Sequence, residues 1–512
     1  MALAAVAVVA AVLAACGASN ANRGPGAVDP NGVLKYGYPM PVAGLHLDPA
    51  LSTVAADTFW MSLVYGTLMK QRADGVIEPG MAKSAEVLDP TSVRITLREG
   101  VKFSDGSAFD AEAVRTSLLR AHTPGSPAAV AALDPGMKAL ADVQVVDPLT
   151  AVARLSAPVA GQFMIEMTQR DGAIVSPKQI AENPKAVDAT PIGAGPFVVV
   201  GNVAQQKLSF RKSPTYWDAT NVQLGGVDII NTPSGPQQAN GLLSGQLDWA
   251  AYVPVDSAAA VDGEGGFATA TTTINNVELL MCTGKAPFDN PAVRQALQLG
   301  VDRQRFADIA FAGKTVPAYS FFREDNKNFA PAVRDLVKFD PDRAKQFLAS
   351  AGPAAAAFDL HFPATLDFAN EAAAMQAQLT EIGFKPKVIA DRDSIAAFLT
   401  PQAPGALLTA TIGFVGYRSF FLHFAQGGQF AICGGARPEI MAAADQAAAL
   451  DPNDPAAIAA YQRAQQMIAG QALVVPVVAY PTIAGWSTSR VGGTPVFDAL
   501  GFPVLESLHI MG

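Results

Sequence analysis

Residues 97–114 read LREGVKFSDGSAFDAEAV, and this stretch sets out the local pattern from which the fold is read. Just before it, Val93-Arg94-Ile95-Thr96-Leu97 alternates apolar and polar side chains, the pattern of a strand with one face buried in a sheet. Arg98-Glu99-Gly100 turns the chain, Val101 and Phe103 continue the strand pattern, and Asp105-Gly106 turns it again. Asp110 then caps a helix with Val114, Leu118 and Ala121 along one face, while Phe109 and Val114 stand in staple positions around the cap. The helix start is therefore specified twice.

The pattern recurs. In Asp289-Asn290-Pro291 a capping residue precedes proline at the first helical position, and Val293, Ala296, Leu297 and Val301 follow at helical spacing. Asp302 caps a further helix that closes near Gly313, and Asp340-Pro341 begins one that stops at Gly352. Phe358–Phe362 reads as a strand, 370–382 as a helix ending at Gly383, and Pro386–Ile389 as a strand. That β-α-β order predicts an α/β lobe. A single core stops growing near ~250–300 residues, so a chain of 512 residues, half of them hydrophobic, predicts two or three folded units. A net charge of −9 argues against nucleic acid as a partner, because phosphates demand a basic face.

Residues 1–15, MALAAVAVVAAVLAA, form an apolar run shorter than the ~20 residues that span a bilayer, and match the core of a secretory signal. Leu13-Ala14-Ala15-Cys16-Gly17 resembles the lipobox of bacterial lipoproteins, in which the cysteine is lipidated and the peptide is cut just before it. No Lys or Arg precedes the run, a departure from that pattern. Residues 16–32 read as a flexible tether from such an anchor. Cys282 and Cys433 remain, either as a disulfide of an exported chain or as two buried free thiols.

The stretch 97–114 resembles the signature of the peptide/nickel-type solute-binding proteins, family 5 of the ABC importer receptors. Pro191–Phe197 is similar to that family's P-x-G-T-G-P-Y, Arg211–Trp217 to its R-N-x-x-Y-W, Leu243–Asp248 to its S-G-x-x-D, and Pro287–Arg303 to its P-F-D-D-x-x-V-R segment, all in the family's order. The resemblance implies an α/β, periplasmic-binding-protein-like fold of two lobes with an extra inserted domain. Lobe I would comprise 33–61, 189–279 and 482–512, the inserted domain 62–188, and lobe II 280–481. It further implies a monomeric, membrane-anchored receptor that captures a small organic or peptide-like solute between its lobes and hands it to the permease subunits of an ABC importer, with no cofactor.

An enzyme would need a catalytic constellation. The sequence has no G-x-S-x-G and no H-E-x-x-H, and its five histidines lack metal-ligand spacing. Gly313-Lys314-Thr315 fails as a P-loop because Asp308 stands where the earlier glycine belongs. An extracytoplasmic hydrolase and a ligand-free structural lipoprotein are the alternative classes.

Ligand-binding candidates follow from the resemblance. Residues 411–424 read TIGFVGYRSFFLHF, and in peptide-binding members the matching stretch resembles G-W-x-A-D-Y-x-x-P, whose aspartate holds the peptide's α-ammonium group. Phe414 stands for the Trp, Tyr417 for the Tyr, and Gly416 for the Asp; Arg418 follows at once, so the local charge is reversed. A slip of register restores no acid, since none lies between Asp393 and Glu439. Arg418 either forks onto a ligand oxygen in the cleft or is solvated or paired with an Asp. Tyr38, His46 and Phe59 belong to segments that line the cleft in relatives, and Trp249 and Tyr252 follow the LSGQLD segment. The alternative for each is ordinary core, which is where Trp217 is assigned.

Changing Cys16 to serine in the full-length chain is expected to release the protein from membranes or leave it unprocessed. Fractionation and gel migration identical to wild type would refute the lipid anchor.

Overall fold

A computed structural model describes residues 26–40, 46–52, 57–122, 134–364, 368–399, 405–411 and 416–512. Cys16 and Phe414 lie outside the described residues.

The backbone of the molecule is one mixed sheet of ten strands among the described residues. From edge to edge the strands are Lys385–Asp391, Ala357–Pro363, Gly405–Thr411, Phe267–Met281, Val474–Ser487, Trp249–Ala250, Val33–Tyr38, Gly226–Asn231, Lys207–Lys212 and Phe197–Val203. The first three are parallel, as are Trp249–Ala250, Val33–Tyr38 and Gly226–Asn231, so each half is an α/β unit. The two long central strands, Phe267–Met281 and Val474–Ser487, pair antiparallel with each other and belong to both halves.

The changeover is local. Phe267–Thr272 pairs with Thr482–Ser487 beside the lobe I strand Trp249–Ala250, and Asn276–Met281 pairs with Ala406–Thr411 of lobe II. Between these stretches the register shifts from Thr272↔Thr482 to Asn275↔Tyr480, leaving residues 273 and 274 opposite Pro481 alone. Two residues facing one make a bulge, which bends and twists a strand, and proline offers the ladder no N–H. The ladder is interrupted where the chain passes from one lobe to the other, and a second register shift lies opposite Val477.

The inserted domain is a four-stranded antiparallel sheet, Ala82–Asp89, Ser92–Leu97, Thr150–Leu155 and Leu140–Asp147 in spatial order. Val93, Ile95 and Leu97 are buried, as the alternation predicts. Asp110 caps helix Ala111–Arg120 by accepting from the Ala113 N–H at 3.0 Å. In lobe II, Asn290 caps Pro291–Gly300, Asp302 caps Arg303–Phe311 and Asp340 caps Pro341–Ala351. The arginines of that segment are internal clamps. Arg303, nearly wholly buried, donates to the carbonyls of Ala318, Val337 and Pro476, and burial pulls its guanidinium down to about 10. Arg294 donates to the carbonyls of Phe288 and Gln471.

Several expectations shift. Val101 and Phe103 are buried but form no strand; they brace a tight loop closed by Phe103 N–H to Ser107 and Phe109 N–H to Val101. Helix Thr58–Tyr65 spans the boundary drawn at 61/62, and the first long strand, Phe267–Met281, spans the one drawn at 279/280. The tether ends earlier than 32, because Val28–Asp29 pairs with Ile510 and Met511 in a small sheet. Trp217 is not core: it is 40% exposed, and the Arg98 guanidinium lies 4.2 Å from its ring centre.

Cys282, at the end of the first long strand, is bonded to Cys433 across 151 residues of sequence. Closing so long a loop is expected to stabilise lobe II by about 2–4 kcal/mol. Urea unfolding of the Cys282→Ala/Cys433→Ala protein should show that loss, and an unchanged midpoint would show that the bridge contributes nothing.

Candidate functional site

The C-terminal ends of the parallel lobe I strands carry an aromatic cluster. Tyr36 packs on Phe59 at 4.9 Å between ring centres, Phe59 on Phe502 at 4.8 Å, and Tyr38 on Tyr252 at 5.6 Å and Trp60 at 5.7 Å. Tyr38 and Phe59 are buried in it, and only Tyr252 of this pair of neighbours keeps part of its surface open. Trp249 is wholly buried and stacked on Trp486 at 5.1 Å, so it supports the sheet and faces no cleft.

Beside this cluster three structural units bring charged side chains together. From lobe I, His46 Nδ1 lies 3.1 Å from Asp188, whose other oxygen accepts from the backbone N–H groups of Leu47 and Asp48. Asp48 is held through both oxygens by Arg120. The Ser52 hydroxyl donates to Asp57 at 2.6 Å and accepts from Arg170 at 3.1 Å, and Thr58 Oγ1 accepts from the Arg170 backbone N–H. The fold thus tethers the start of helix Thr58–Tyr65 to the inserted domain.

The inserted domain adds Asp134, Glu166 and Asp171, all buried. Glu166 accepts from the N–H groups of Gly136 and Met137 and from Gln162 Nε2. From lobe II, Arg418 pairs with Asp134. Its charge is therefore countered by an Asp, the second of the two arrangements open to it from the sequence. Tyr417 turns inward, its hydroxyl donating to Asp445 at 2.7 Å. Gly416 has φ +80°, and a Cβ there would lie 3.3 Å from Ile165 Cδ1 and 3.7 Å from Gln162 Oε1. The glycine admits the inserted domain where an aspartate would stand against it.

Four buried carboxyls, Asp57, Asp134, Glu166 and Asp171, share this junction with Arg170 and Arg418. Desolvation disfavours the charged form of each. Burial pushes Asp57 and Asp171 up to about 6 against the opposing pull of Arg170. It raises Asp134 despite Arg418, and Glu166 well above the carboxylate range, with Asp134 adding to the rise.

A cavity of about 620 Å³ adjoins the junction, within the range of small-molecule sites. Helix Thr58–Tyr65, hairpin residues Lys70–Asp74 and the loop 496–506 line it, Trp217 sits at its wall, and Asp325 of lobe II reaches its edge. Phe59 borders it, while Gly416 and Arg418 do not.

The family model described as "Bacterial extracellular solute-binding proteins, family 5 Middle" matches residues 76–410. The chain belongs to this family. It is a solute-binding component of an ABC importer and works outside the cytoplasm. Among curated relatives of the family, the glutathione-binding protein GsiB of Salmonella paratyphi A is 29% identical over 357 residues, 67% of each chain. Among solved structures, the unliganded open form of the periplasmic murein tripeptide binding protein MppA superposes with a TM-score of 0.78 at 19% identity, covering 96% of this chain and 99% of that one. The dipeptide binding protein of Pseudoalteromonas sp. SM9913, in complex with Met-Leu, gives a TM-score of 0.72 at 20% identity, covering 93% and 99%. The two-lobed fold expected of family 5 is therefore present. Asp134, Glu166 and Arg170 escaped the sequence reading. Only the Asp134-Pro135 pair, a helix-start signal, hinted that anything is organised there.

A carboxyl whose folded pKa is raised holds its proton in the folded chain after the unfolded chain has lost it. Stability then falls as pH rises through that window, which for Asp171 runs from 3.8 to about 6. Asp171→Asn is expected to flatten the pH dependence of unfolding free energy across this window. An unchanged slope would show that Asp171 ionises like an exposed carboxylate.

Proposed function

We propose that this receptor captures a peptide-like or other organic solute between lobe I and lobe II, held near the membrane by a lipid on Cys16, and presents it as a monomer to importer permease subunits without covalent chemistry. The observation that carries the reading is the register break of the long-strand ladder at residues 273–274 and Pro481, set between two α/β lobes. A ligand that touches both lobes shifts an open–closed equilibrium by its differential affinity for the two forms. The relatives named for glutathione, murein tripeptide and dipeptide support a peptide-like cargo.

The amino end of that cargo is the point of difference. Gly416 supplies no carboxylate, and the acids that meet its neighbours are engaged, Asp134 by Arg418 and Asp445 by the Tyr417 hydroxyl. An ammonium buried without a partner costs several kcal/mol, and each 1.4 kcal/mol is about tenfold in affinity. The preferred solute is neutral or anionic at that end: a blocked peptide, a sugar conjugate or a carboxylate-bearing molecule. Phe59 of the cavity wall and the part-exposed Tyr252 are the residues we place along its path.

Calorimetry with free-amine and N-acetylated forms of the same short peptides is expected to show no loss on acetylation. Micromolar binding of the free amines that vanishes on acetylation would overturn this ligand class. Native mass spectrometry of the purified protein should find a solute bound to one site, and small-angle scattering should show compaction when that solute saturates it.

A further inference from the structure

The inserted domain and lobe II touch directly along a seam. Helix Ala160–Glu166 approaches lobe II so closely that a Cβ on Gly161 would collide with the carbonyl oxygen of Leu450. From the other side, Gly416 lets Ile165 and Gln162 in against its backbone. At one end of this seam Arg418 pairs with Asp134, whose side chain is only 7% exposed. At the other, the Asn453 amide binds both backbone groups of Ile77, at 3.2 Å and 3.0 Å, and the Lys327 N–H donates to Asp74 at 2.9 Å. Lys327 Nζ in turn donates to Asn453 and Pro452, which fixes the amide in place.

These contacts share a character. Asn453 continues the hairpin Met69–Gln71/Ile77–Pro79 as a further strand would, by a donor and an acceptor on one residue. The two glycines remove the side chains that would hold the backbones apart. The ion pair is largely out of water, where a broken partner is costly. Each of the contacts joins a group of the inserted domain directly to a group of lobe II.

We propose that this seam is a built-in closing latch: the inserted domain clasps lobe II through Asp134–Arg418, Gly161–Leu450 and Ile77–Asn453, so that the closed arrangement is stabilised before any solute contributes. The inference rests on the two-lobed receptor reading for the existence of an opening motion. Apparent affinity scales with the fraction of protein already competent to bind, so a latch that raises this fraction tightens binding and slows release without touching the solute. Gly416 and Arg418 then act as positioning residues, and the departure from the peptide-binding motif at 416–418 trades a ligand contact for a contact between domains.

The test uses the full chain stripped of solute by unfolding, dialysis and refolding, with distances between labels on the inserted domain and lobe II measured in solution. Wild type is expected to populate the short, closed distance. Gly161→Leu, and separately Asp134→Asn, should each lower the closed-to-open ratio about tenfold or more, and the exchanged pair Asp134→Arg/Arg418→Asp should recover part of it. Near-ultraviolet circular dichroism confirms that each variant is folded, and Asn453→Ala serves if one is not. A stripped wild type that is wholly open, or folded variants with unchanged distances, would overturn the latch. Wild type that opens when stripped and closes on return of its co-purified solute would remove the latch and leave the receptor reading intact. A chain that never changes distance would remove the receptor reading itself.

Discussion

The backbone ladder between Phe267–Met281 and Val474–Ser487 is the constraint on which the rest depends. It makes one sheet out of two lobes, so each lobe's helices pack on strands whose positions are set partly by the other. The same ladder contains a bulge opposite a proline, so continuity and pliancy sit in one element. Core burial on each side keeps the halves rigid. Lobe II reinforces its half with Arg303, whose guanidinium fastens two loops to the second long strand by backbone carbonyls. A hydrophobic residue there would fill the space but leave those carbonyls unpaired.

The charged junction obeys the opposite logic. Burying four carboxyls beside two arginines is unfavourable unless each is hydrogen-bonded or protonated. Glu166 is met by two backbone N–H groups and an amide, and Asp57 by Ser52. The arrangement gains little stability from its charges. What it gains is geometry, because each pair works only at one relative placement of lobe I, the inserted domain and lobe II.

Local elements were legible in the sequence because their signals are local. Asp110, Asn290, Asp302 and Asp340 cap the helices that their spacing predicts, and the alternation at 93–97 buries the expected face. The ordered family motifs carried the two-lobed architecture. Contacts between units were not legible. Arg418 and Asp134 are 284 residues apart, and nothing in the composition around either names the other. Trp217 misled because the family-like segment Arg211–Trp217 reads as structural, whereas its ring lies as a platform under Arg98. Trp249 misled in the reverse direction: its place after the LSGQLD segment suggested the cleft, but its two-residue strand is central in the sheet. The site residues that sequence did single out are mostly walls and supports, since the aromatic cluster and Tyr417 are packed against protein.

The bridge between Cys282 and Cys433 has a consequence for timing. Thiols stay reduced in the cytoplasm and pair in oxidising compartments. The bond joins the last residue leaving the first long strand to a short helix 151 residues later, so it can form only after most of lobe II has been made and has folded back. A chain still inside the cell therefore lacks the link that ties the end of the strand to the far side of the lobe. Maturation of the receptor is divided between two compartments: synthesis supplies the sequence of lobe II, and export supplies the oxidant that locks it.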